Sequence, residues 1–68
     1  MLTEARILEI NRILAEINPE RLGKMPLIKL KKIKVEETGV RDNECFCNPA
    51  KRVKWFDAFK IWYEENAR

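Results

Sequence analysis

Histidine, serine and glutamine do not occur anywhere in these 68 residues. Their absence removes a Ser-His-Asp triad, a Cys-His pair and every histidine-ligated metal from a single chain. Glycine is nearly as rare. With only Gly23 and Gly39 there is no phosphate loop and no dinucleotide fingerprint. The two cysteines, Cys45 and Cys47, stand one residue apart, so a bridge between them would close almost no loop and demand strained geometry. Small secreted domains lean on several disulfides, and this sparing usage points instead to the reducing cytoplasm. Long apolar runs are missing too. Met1 to Asn18 carries Glu4, Arg6, Glu9, Arg12 and Glu16 at regular intervals, which does not fit a signal peptide, and no stretch suits a bilayer span. The expectation is a soluble, cytoplasmic protein that is no enzyme, with no catalytic residues, no metal, no cofactor, no membrane contact and no small-molecule substrate.

What is present amounts to one domain over residues 1–68, without repeat, low-complexity stretch or linker. A chain of this length buries only about 60% of its surface, so a lone core is marginal. Ile7, Ile10, Ile13, Leu14 and Ile17 recur at three- and four-residue steps and predict an amphipathic first helix over residues 3–17. Thr3 suits its N-cap, with Leu2 and Ile7 placed as a hydrophobic staple. Asn18-Pro19 ends it and opens a single helical turn, Pro19 to Leu22, stopped by Gly23.

The middle segment, residues 26–38, is ambiguous on a helix. Leu27, Leu30 and Ile33 fall on one side and Ile28 with Val35 on another, while the lysines come early and Glu36-Glu37 late, against the helix dipole. Pro26 in the first turn and Gly39 followed by Val40 as a C-terminal cap favour the helix. A hairpin from Ile33 to Cys47 across Asp42-Asn43 is the competing reading. The last helix, residues 49–66, is plain: Asn48 caps it, Pro49 takes its first position, and Val53, Trp55, Phe56, Phe59, Trp62 and Tyr63 cover about half its circumference. That arc is wider than the roughly 100° stripe a surface helix buries. The predicted fold is therefore all-α, a small three-helix bundle with an ordered Cys-x-Cys loop before the last helix. Either the last helix is central, or part of its aromatic face meets a partner.

Four features bear on function. Lys24, Lys29, Lys31, Lys32 and Lys34 put five positive charges in eleven residues, so the rest of a chain of net charge +3 carries −2. Such a face attracts polyanions, and it also serves simply to keep a small protein solvated. Lys51, Arg52 and Lys54 crowd a helix start that is already positive, beside Trp55, an arrangement that suits a phosphate or a nucleic-acid strand. The structural alternative there is pairing with Asp42 and Glu44. In Glu44-Cys45-Phe46-Cys47 two thiols fall short of zinc's four ligands without a dimer, a lowered Cys47 pKa would allow redox reactivity, and burial of Phe46 with one or both cysteines is favoured over either. Finally, the aromatic helix is core material that interfaces also enrich, with Trp55, Trp62 and Tyr63 expected to be partly exposed and Ile61 and Leu8 on polar faces.

The favoured function is an interaction or assembly module that docks on another protein, or on itself, through Trp55, Ile61, Trp62 and Tyr63. The alternative is a small nucleic-acid-binding protein using the lysine-rich segment 24–34, with Lys29, Lys31, Lys32 and Lys34, and the start of the last helix, with Lys51, Arg52 and Lys54.

Overall fold

A computed structural model describes residues 2–67, leaving Met1 and Arg68, the ends of the 1–68 domain, outside the description. Three helices follow one another: α1 (Glu4–Glu16), α2 (Lys24–Thr38) and α3 (Pro49–Asn66). Among the described residues the only strand-like pairing is an isolated bridge between Asn18 and Arg21, so the Ile33–Cys47 hairpin does not form.

The cap of α1 is the expected one. Thr3 Oγ1 accepts from the Arg6 amide at 3.2 Å, satisfying a donor that the first turn leaves unpaired, and Leu2 is buried while Ile7 packs on the core. The Pro19–Leu22 segment corrects the sequence reading. It is a β-turn and not a helical turn: the Arg21 amide bonds the Asn18 carbonyl at 2.9 Å, and Asn18 Oδ1 takes the Glu20 amide at 3.0 Å. The side chain of Asn18 thereby captures a donor close to the turn, and Pro19 presets φ for the turn's second position.

Helix α2 starts two residues earlier than expected, at Lys24, behind Gly23, which offers no side-chain cap. Pro26 still lies in the first turn, where its missing N–H costs nothing. Leu27, Leu30 and Ile33 are the buried stripe, and Ile28 is exposed on the far side. Gly39 ends the helix at φ 70, donating to the Val35 carbonyl at 2.8 Å. Val40 makes no apolar clasp, being 67% exposed; the Thr38 hydroxyl holds its amide instead.

Asn48 Oδ1 caps α3 by accepting from Ala50, with Pro49 at the first position, as the sequence reads. The core is Leu2, Ile10, Ile13, Leu27, Leu30, Ile33, Phe46, Phe56 and Phe59. Helix α2, and not α3, is the central element, its backbone lying close to both α1 and α3. The wide arc of α3 narrows accordingly. Val53 is half exposed, and the loop between α2 and α3 covers the arc's beginning by inserting Phe46, fully buried, edge-on against Trp55 with ring centres 5.1 Å apart.

That loop corrects a second expectation. Phe46 is the plug, as predicted, but Cys45 and Cys47 on either side of it are both exposed. With Phe46 turned wholly inward at φ 56, its two neighbours face out.

Candidate functional site

Phe59, fully buried, is the hub of the aromatic row. Trp55 stacks on it at 5.3 Å and 17°, Trp62 tilts against it at 5.5 Å, and Tyr63 lies parallel at 6.3 Å. Trp55, Trp62 and Tyr63 are each half-buried, which matches their expected partial exposure. Their polar ends are occupied from within. The Trp55 indole N–H donates to Asp42 Oδ2 at 2.7 Å, and the Tyr63 hydroxyl donates to Asn11 Oδ1 at 2.6 Å. Burial pushes the Asp42 carboxyl up, but the Trp55 and Glu44 N–H donors and the nearby Lys31 and Lys34 outweigh it and hold the group below the usual carboxylate value. Ile61, 59% exposed, sits on the opposite face of α3, where helical spacing surrounds it with Asp57, Glu64 and Glu65. The four docking residues read from the sequence are thus three on the inner arc and one outside.

The seven candidate cations also separate. Lys31 Nζ donates to the Glu44 carbonyl at 2.7 Å and stands 5.2 Å from the Phe46 ring centre; Lys34 Nζ stands 5.8 Å from that of Trp62. Arg52 donates Nε to the Phe46 carbonyl and Nη1 to the Leu22 carbonyl at 3.2 Å, which ties the stretch before α2 to the stretch before α3. Lys29 and Lys32 edge a groove shared with Arg6, Glu9, Glu36, Ile13 and Ile33. Lys51 and Lys54 edge another, of about 370 Å³, together with Trp55, Ala58 and Glu44. Pairing of Asp42 or Glu44 with these bases is not seen: the ion pairs among the described residues are those of Arg6 with Glu9, Glu36 and Glu37, and Lys60 with Asp57.

Two residues gain neighbours that the sequence did not suggest. Lys24, read there as part of the α2 lysine run, lies near enough to Cys47 for its charge to act on that thiol, as does Arg52. Neither α2 nor α3 has an acid in its first turn. The two positive helix starts are tied together by Arg52 and the Leu22 carbonyl, and they carry the exposed Lys24 on α2 and Lys51 on α3, with Lys54 about one turn further along α3. Arg6, the other, bridges three carboxylates, two of them about thirty residues away, and no local pattern announces such a contact.

Among the described residues no group of three or more His, Cys, Asp or Glu stands together as a metal site, and no helix is long and apolar enough to cross a membrane. Comparison with protein-family models, with curated proteins and with solved structures finds no match.

Proposed function

We propose that the chain is a small non-enzymatic binding module that takes single-stranded nucleic acid along the groove at the start of α3. Lys51 and Lys54 meet phosphates there, Lys24 adds a third charge, and a base packs on the part of Trp55 that lines the same groove. The observation that carries the reading is the shared groove itself, in which two exposed cations border a half-exposed tryptophan that Phe46 and Phe59 hold rigid. Charge along a backbone combined with an aromatic stacking surface is how sequence-tolerant single-strand binding works, at about 1–3 kcal/mol per stacked base. Lys29 and Lys32, beside Glu9 and Glu36, are the weaker half of the basic surface.

A second reading, docking on a protein or on a second copy through the aromatic helix, draws support from Ile61 and from the half-exposed edges of Trp62 and Tyr63. Titration of a short fluorescent single strand at several salt concentrations separates the two. Nucleic-acid binding should weaken with salt at a log–log slope near −2, about 0.7 for each of three phosphates. Lys24, Lys51 and Lys54 changed together to Glu should abolish it without unfolding the chain, since exposed lysines carry little stability. No binding at low salt, with a salt-insensitive oligomer lost on Ile61→Glu, would replace the first reading by the second.

A further inference from the structure

Free cysteines are among the most buried residue types, yet both thiols of this chain are exposed. The residue between them is the buried one. Phe46 holds φ 56, a left-handed conformation that a bulky side chain keeps only where its surroundings impose it. Those surroundings are specific: its ring is enclosed against Trp55, Arg52 holds its carbonyl, and Lys31 holds the carbonyl of Glu44 just before. Turned in this way, the backbone folds the Cys47 thiol back onto the neighbouring cysteine, Cys47 Sγ donating to the Cys45 carbonyl at 3.7 Å. Two sulfurs are half of what zinc requires, and no further Cys, His or carboxylate joins them as a set among the described residues. Two-electron sulfur chemistry needs only the pair.

We propose that Cys45 and Cys47 form a reversible dithiol site oxidised by a low-molecular-weight disulfide of the glutathione type, with Cys45 as the attacking and Cys47 as the resolving sulfur. The Cys45 thiolate attacks one sulfur of the disulfide, forming a mixed disulfide and expelling one small thiolate. Cys47, giving its proton to solvent, then attacks Cys45 Sγ, forms the Cys45–Cys47 bond and expels the second. Both cysteine thiols are oxidised and one small disulfide is reduced to two thiols. The division of labour follows from the local chemistry. Hydrogen bonding from Cys47, side chain first and backbone second, lowers the Cys45 pKa against burial and Glu44. The same pairing, with burial, raises that of Cys47 against Lys24 and Arg52. The more acidic thiol supplies the thiolate. A ring this small is strained, and strained, exposed disulfides are the readily reduced ones, so the bond opens again.

The test equilibrates the full chain in glutathione buffers of stepped ratio, traps free thiols by alkylation and weighs the intact protein. The expected result is a reversible, monomeric species two hydrogens lighter, free of glutathione and unalkylated. Cys47→Ser should stop at the glutathione adduct on Cys45, and Cys45→Ser should react more slowly; both side chains are exposed, so unchanged far-UV circular dichroism is the control. Stable glutathione on both cysteines, oxidation only to disulfide-linked dimers, or thiols that fail to react would each overturn the proposal.

Discussion

On the α1 flank of α2 the guanidinium of Arg6 meets three carboxylates, Glu9, Glu36 and Glu37, each within 2.9 Å. On the α3 flank the guanidinium of Arg52 meets none, and its donors go to the carbonyls of Phe46 and Leu22. Lys31 behaves like Arg52, donating a hydrogen bond to the Glu44 carbonyl. A single cation among three carboxylates is outweighed, and that cluster presents net negative charge. A cation satisfied by carbonyl dipoles keeps its full charge and its field. The same residue type therefore clamps two helices on one side, and on the other both secures a loop and leaves that side electropositive.

The comparison breaks if the α3 flank is only loosely held, and the largest effect tests this. Phe46→Ala removes the loop's buried anchor and should cost about 3–5 kcal/mol, most of the stability of a domain this small, as read by urea denaturation. A loss near that of a surface substitution would mean the loop contributes little. Next in size is the contrast between the two arginines. Arg52→Ala leaves two backbone carbonyls without their charged donor and should cost about 1.5–3 kcal/mol. Arg6→Ala breaks three ion pairs at the surface and should cost less, with a share that fades as salt rises. Equal losses, equally indifferent to salt, would erase the distinction. The smallest effect is in acid. Because the Asp42 pKa is lowered in the folded chain, its contribution is complete above the ordinary carboxylate value and is lost as pH falls through the depressed one. Asp42→Asn should lower stability slightly at neutral pH, where that contribution is complete, and flatten that part of an acid titration followed by tryptophan emission.

The bundle was legible where signals are local. Thr3, Asn48-Pro49 and Gly39 are side-chain or backbone devices acting within four residues, and the helix ends they mark are the ones observed. The start of α2 escaped because Gly23 caps without a side chain, and its central place escaped because lysines interrupt its apolar pattern. Leu27, Leu30 and Ile33 alone are the buried stripe. Phe46 could be read as a plug from its chemistry, whereas the outward turn of its neighbours depends on its backbone conformation and on Arg52 and Lys31. The candidate site was legible as a list of cations and not as a surface. Which lysines stay in solvent is decided by contacts to carbonyls and rings, such as Lys31 with Glu44 and Lys34 with Trp62, that no spacing along the chain reveals.

Gly39 carries one more consequence, in handedness. Its φ of 70 is the mirror of the value that ordinary residues prefer, and a methyl group added there would meet nothing within 4 Å. L-alanine at this position would be strained by its backbone alone. D-alanine, introduced by chemical synthesis of the 68-residue chain, would find its own favoured conformation. By thinning the unfolded ensemble it should raise stability by about 0.4–1 kcal/mol, so that a single inverted stereocentre would strengthen a protein built otherwise of L-residues.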